Sequence, residues 1–221
     1  MIVIVDYGMG NLHSAQKGFE KAGHEAVITD NPKDLARADG VVLPGVGAFK
    51  DCYDSLCTRG FRQPLLDTAE SGKPLLGICV GMQLLFDESE EGQGSEGLGV
   101  LPGRVVRFQD ARETGLKVPH MGWNRLIPNI ELPCPLLEGL TPEPYVYFVH
   151  SFFPIPTDEC RVYARAEYGG EFAAIVGRDN VFATQFHPEK SQGEGIRILN
   201  NFGNYVQRYA KSHTLASSDG G

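Results

Sequence analysis

Apolar positions in the first half of the chain fall into two alternating patterns. Short, nearly unbroken runs at Ile2–Tyr7, His24–Thr29, Gly40–Leu43 and Lys73–Cys79 carry β-branched and leucine residues and stop at glycines or polar residues. Such runs predict strands, and the last, apolar nearly throughout, predicts burial on both faces. Between them, Asn11–Ala22 places Leu12, Ala15, Phe19 and Ala22 at roughly helical spacing, and Gly23 supplies a stop. Asn31-Pro32 opens a short helix through Ala38, while Phe49–Cys57 and Pro64–Ser71 predict two more. Strands alternating with helices predict an α/β fold, an open, mostly parallel sheet with flanking helices.

The second half follows another rhythm. Arg104–Phe108, Lys117–Ile127, Tyr145–Ile155, Val162–Tyr168, Phe172–Val176 and Val181–Phe186 read as strands joined mostly by Gly, Pro and Asp turns. With no helices between them, they predict a mixed or antiparallel extension of the sheet. Gly193–Tyr209 is amphipathic, with Ile196, Leu199, Phe202 and Val206 on one face. Neither a repeat nor a linker divides the chain, so residues 1–211 are expected to form one domain. The segment 212–221 lacks apolar periodicity and is expected to fray.

Composition narrows the function class. The 221 residues carry a formal net charge of -8 without a cluster of lysine or arginine, which argues against a nucleic acid or an anionic membrane as partner. The five cysteines, Cys52, Cys57, Cys79, Cys134 and Cys160, form no CxxC pair and show no zinc spacing. No apolar run reaches membrane-spanning length, and the opening Met-Ile-Val-Ile-Val-Asp reads as a strand rather than a leader. A cytoplasmic protein with reduced thiols is expected.

One of those thiols stands apart. Gly77-Ile78-Cys79-Val80-Gly81 lies between an apolar strand and a predicted helix through Phe86. A free cysteine is usually just a small hydrophobe. Here glycines two residues to either side permit the tight strand-to-helix turn that presents a nucleophile, with cysteine in the place of serine. The turn would set the thiol at a helix start and leave the Val80 N–H facing an oxyanion. A base for that thiol stands in Gln185-Phe186-His187-Pro188-Glu189. Residues two apart on extended backbone share a side, so Glu189 can orient His187 and favour its protonated form. The loop Pro44–Gly47 follows the third strand, and ligand sites gather beyond the carboxyl ends of parallel strands. Val46 and Gly47 there can offer a second N–H to the oxyanion, although a β-branched residue resists positive-φ conformations.

These segments together resemble the class I glutamine amidotransferases. Within that family they are most similar to the branch that supplies imidazole glycerol phosphate synthase in histidine biosynthesis. The resemblance runs from Ile2 to about Lys211. It rests on Asp6–Leu12, Leu43–Phe49, Gly77–Gln83, Val118–Asn124, Tyr147–Phe152 and His187–Ser191. It implies a Cys79–His187–Glu189 triad that hydrolyses glutamine through a glutamyl thioester, without cofactor or metal. It further implies that Gln83 holds the substrate and that the Ser151–Phe152 backbone meets the substrate carboxylate. Glu91 would meet the ammonium group, with Glu88 and Glu90 as neighbouring candidates. The implied partner is a barrel synthase subunit that receives the ammonia, in a heterodimer. Pro119, Met121, Trp123, Tyr147 and Lys190 are expected to face it, Trp123 as an aromatic anchor. Alternatives are a subunit of another class I synthase or a non-enzymatic redox or chaperone-like α/β protein.

Overall fold

Strand burial follows the apolar runs closely. The computed structural model describes residues 1–92, 94–109, 115–157 and 161–218. β1 (Ile2–Val5), β2 (Ala26–Thr29), β3 (Gly40–Gly45) and β4 (Leu75–Cys79) alternate with α1 (Leu12–Lys21), α2 (Asp34–Arg37), α3 (Phe49–Thr58) and α4 (Arg62–Glu70). Every residue of β1, β3 and β4 is buried. β2 forms the sheet edge and leaves Val27 exposed. After β4 come α5 (Val80–Leu84), β5 (Phe86–Ser89), β6 (Ser95–Glu96), β7 (Leu101–Arg107), β8 (His120–Arg125) and β9 (Ile127–Pro128). The chain then forms β10 (Tyr145–His150), β11 (Phe152–Pro156), β12 (Arg161–Glu167), β13 (Glu171–Arg178), β14 (Val181–Thr184) and α6 (Gln192–Ser218).

The main sheet has eight strands in the order β2-β1-β3-β4-β14-β13-β12-β9. Pairing is parallel from β2 through β14 and antiparallel from there to β9. This is the α/β sheet with an antiparallel extension that the sequence predicts. Two smaller sheets accompany it: β11-β7-β5-β6, and the two-stranded β10-β8. α1 packs against α6, where Phe19 and Phe202 meet at a ring separation of 6.1 Å. Both rings are fully buried, each stabilising the fold by about 1.5–3 kcal/mol over an exposed position.

Several boundaries differ from expectation. The helix after Cys79 ends at Leu84, and Phe86 starts a strand instead. The carbonyls of Leu84, Leu85 and Phe86 accept N–H groups from Leu98 to Leu101, drawing the chain out of the helix. The run Tyr145–Ile155 breaks at Ser151 into β10 and β11, which belong to different sheets. Lys117–Ile127 likewise divides into β8 and β9. α6 continues past Tyr209 to Ser218. Residues 219–221 and Cys160 lie outside the described residues.

β4 turns into α5 through a tight contact with β3. A Cβ on Gly81 would lie 1.9 Å from the Leu43 carbonyl oxygen, and one on Gly77 2.9 Å from the Gly81 oxygen. These are backbone atoms of β3 and α5, so the clash has no flexible side chain to absorb it. Gly81→Ala is expected to destabilise the fold by about 3 kcal/mol, the upper range for overpacking. A wild-type midpoint in urea for that variant would refute this close approach.

Candidate active site

Cys79 adopts φ 56° and ψ −111°, a backbone region that L-residues avoid and that costs on the order of 1–3 kcal/mol. The turn sends the side chain off the carboxyl end of β4. Its thiol lies 3.8 Å from the Val149 carbonyl oxygen, to which it donates, and 3.9 Å from Gln185 Nε2. Val80 opens α5, where the first N–H groups have no partner within the helix. α5 is only five residues long, so its dipole adds little to thiolate stability.

Sheet order brings the imidazole alongside. β14 pairs with β4, and the chain beyond β14 carries His187 into the same end of the sheet. His187 Nδ1 and Glu189 Oε1 are 2.8 Å apart, with both side chains 2% exposed. The backbone of His187 is held at both ends. Its N–H donates to the Tyr147 carbonyl, and its own carbonyl accepts from Ser191 Oγ, which in turn accepts from the Tyr147 N–H. Burial works against a charge on His187. Its interactions with the Cys79 sulfur and the Glu189 carboxylate outweigh burial and push it up to about 10. Nε2 of His187 makes no hydrogen bond of normal geometry, and neither does Glu189 Oε2. With Nδ1 taken by Glu189, the Cys79 sulfur is the other group that favours the charged ring.

The loop after β3 is pinned at three points. Tyr7 Oη donates to the Pro44 carbonyl at 2.8 Å, the Cys52 thiol donates to the Val46 carbonyl at 3.3 Å, and the Phe49 N–H donates to Glu91 Oε2 at 2.9 Å. Because the peptide is planar and trans, the Gly47 N–H points opposite to the Val46 carbonyl, away from Cys52. Gly47 has φ 101°, whereas Val46 avoids the left-handed region. Burial raises Tyr7 well above the usual phenol value and pushes Cys52 up to about 11, so both stay neutral donors.

A cavity of about 660 Å³ opens among these elements. It brings together Cys79, Val80, His187, Val46, Gly47, Gln83, Glu91, Ser151 and Phe152 from the residues singled out in the sequence. Pro119 and Lys190 reach its rim, while Met121 and Trp123 stand outside it, 65% and 47% exposed. Of the three neighbouring glutamates, only Glu91 reaches the cavity. Glu90 accepts from the Arg107 N–H, and Glu88 is exposed on β5. Gln83 Nε2 donates to the Phe152 carbonyl and to Gln185 Oε1. Sequence reasoning missed Gln185, Ser191, Tyr7 and Cys52 as supports. Gln185 alone carried a signal, as it stands two residues before His187 on the segment that follows β14.

Among the described residues, no group of three or more His, Cys, Asp or Glu side chains is placed to hold a metal. No described helix is long and apolar enough to cross a membrane. Cys52, Cys57, Cys79 and Cys134 are unpaired.

Known proteins resemble this chain over most of its length. The family model for glutamine amidotransferase class-I matches residues 3–205. The imidazole glycerol phosphate synthase subunit HisH of Syntrophotalea carbinolica is 59% identical, over 92% of this chain and 99% of its own. Its namesake in Geobacter sulfurreducens is 52% identical, over 91% and 97%. A crystal structure of a glutamine amidotransferase superposes with a TM-score of 0.72 at 22% identity, covering 94% of this chain and all of the other, a likeness of fold. The chain therefore belongs to the class I glutamine amidotransferase family.

Proposed function

We propose that this chain is the glutaminase subunit of imidazole glycerol phosphate synthase, in the cytoplasmic pathway of histidine biosynthesis. The relatives at 59% and 52% identity over nearly the whole chain support that reading. The observation that carries the chemistry is the strained Cys79 beside a buried His187–Glu189 pair, in one cavity with Gln83 and Glu91. Cys79 gives its proton to His187, its Sγ attacks the side-chain carboxamide carbon of glutamine, and the charge on oxygen is met by the Val80 N–H and an N–H of the Val46–Gly47 loop. His187 protonates the departing nitrogen, ammonia leaves, and a glutamyl thioester remains on Cys79. Water, deprotonated by His187, then releases glutamate. Glu189 holds the imidazole in place and stabilises its charge. Glu91 receives the substrate ammonium, and the Ser151–Phe152 backbone receives its carboxylate.

The ammonia passes to a barrel synthase subunit seated over the cavity, in a heterodimer. Met121 and Trp123 support that seat, since they leave a large apolar area in solvent on one strand. Tyr147 lies opposite Trp123 on β10, their rings edge to face at 6.1 Å, and Lys190 adds a charge at the cavity rim.

Three tests follow from these roles. Cys79→Ala should abolish glutamine hydrolysis and leave the denaturation midpoint near wild type. Synthesis from added ammonium by the complex should persist. Retained glutaminase activity would remove Cys79 as nucleophile.

Glu189→Gln should cost less activity than His187→Ala, and should lower the His187 titration midpoint from about 10, because burial alone disfavours the charge. The raised value also sets the sign of a stability effect. Protonated His187 contributes stability fully below its unfolded value of about 6.5, and the contribution is lost as pH rises through the folded value. An unchanged imidazole midpoint by NMR in Glu189→Gln would refute the carboxylate's role.

Trp123→Ala should weaken association with the barrel subunit by roughly tenfold or more, as expected for an aromatic anchor. Titration calorimetry giving wild-type affinity would place the docking face elsewhere.

A further inference from the structure

Two histidines outside the triad form a buried hydrogen-bond chain between the exposed strand β8 and the cavity. His120 begins β8, His150 ends β10, and the antiparallel register sets them opposite each other. His120 Nδ1 lies 2.9 Å from His150 Nε2, and His150 Nδ1 lies 2.8 Å from the Phe152 carbonyl oxygen. At the far end, Asn124 Nδ2 lies 3.3 Å from His120 Nε2 and also donates to the Glu167 carbonyl.

The acceptors fix every proton in this chain. A carbonyl can only accept, so His150 Nδ1 carries hydrogen and His150 Nε2 accepts in a neutral ring. His120 Nδ1 must then donate, and His120 Nε2 accepts from the Asn124 amide. The surroundings keep both rings neutral. His120 stacks on Phe148 and Tyr168 at 4.9 and 4.1 Å, Phe108 presents an edge to both histidines, and Phe172 presents an edge to His120 and lies tilted against His150. Burial pushes His120 down to about 4 and His150 down to about 3. All donors therefore point the same way, from β8 toward Phe152.

Both ends of the chain touch something functional. The Phe152 carbonyl also accepts from Gln83 Nε2 at 2.9 Å, so one oxygen joins the histidine chain to the cavity. The bond from His150 to Phe152 spans Ser151, where the strand leaves one sheet for another. Asn124 adjoins Trp123 on the strand that carries the exposed apolar face.

We propose that Asn124, His120 and His150 are positioning residues that couple a partner seated on β8 to the Ser151–Phe152 backbone, and so set affinity for glutamine. This rests on the glutaminase reading above. His150 lines the cavity, but the chain's hydrogen bonds run to Asn124 and Phe152 rather than to Cys79 or His187, so its loss should appear in KM before kcat.

The test is glutamine hydrolysis by the full-length chain, alone and saturated with its barrel subunit. His120→Phe keeps the aromatic stack but leaves His150 Nε2 buried without a donor. It should raise KM for glutamine about tenfold, the usual scale for one unpaired buried acceptor. Turnover at saturating glutamine should stay within about threefold, and the partner's effect on KM should shrink. His120→Gln restores a side-chain donor and should recover most of the loss. Wild-type KM and stimulation in folded His120→Phe would overturn the proposal, as would equal impairment of the Phe and Gln variants. If His120→Phe does not fold, Asn124→Ala removes the outer donor, and unchanged KM and stimulation there would overturn it too. A wild-type complex that hydrolyses no glutamine would instead reject the glutaminase reading itself.

Discussion

Cys79 holds a backbone conformation that an L-residue resists, and the carboxyl end of the sheet is arranged around keeping it there. The strain persists because β4 lies inside the sheet, paired with β3 on one side and β14 on the other. Gly81 rests on the Leu43 carbonyl, and a Cβ on Gly45 would lie 2.5 Å from the Gly81 nitrogen. The elbow and the loop after β3 are therefore interlocked, and neither can shift far alone. The order β3-β4-β14 also determines what meets what. Three adjacent strands deliver the Pro44–Gly47 loop, the thiol and the imidazole to one end of the sheet.

Much of this was legible because it depends on local pattern. β1, β3 and β4 are buried on both faces, so their sequences are apolar without interruption. The elbow shows itself in glycines flanking Cys79, and the His187–Glu189 pair in a spacing of two. What escaped depends on contacts distant in sequence. Met82, Leu84, Leu85 and Phe86 are all fully buried, and a continuous apolar run does not reveal where helix gives way to strand. The break at Ser151 follows from β10 and β11 joining different sheets, which no periodicity records. Tyr7, in the turn after β1, and Cys52, on α3, support the loop through backbone carbonyls, so nothing in residue type marks them.

Three of the buried histidines, His187, His120 and His150, show how far surroundings decide chemistry. His187 has a carboxylate at 2.8 Å and a sulfur beside it, and these overcome the cost of burial to hold a charge. His120 and His150 have aromatic rings, an amide and a carbonyl, and burial prevails. The first can move a proton. The other two are fixed donors and acceptors of one polarity, suited to holding a backbone in register.

β10 is where these two kinds of histidine meet. Its Tyr147 carbonyl takes the His187 N–H, and its Tyr147 N–H reaches Ser191, which grips the His187 carbonyl. Its last residue is His150, and among the described residues its only strand partner is β8. A two-stranded sheet has little stability of its own, so β8–β10 takes its position from what packs on it. One face meets the cluster of Phe108, Phe148, Tyr168 and Phe172 around the paired histidines. The other bears Met121 and Trp123 in solvent. A partner seated there would add the missing half of that packing. The backbone of His187 and the bend at Ser151 hang from the same strand, so fixing β10 fixes both at once.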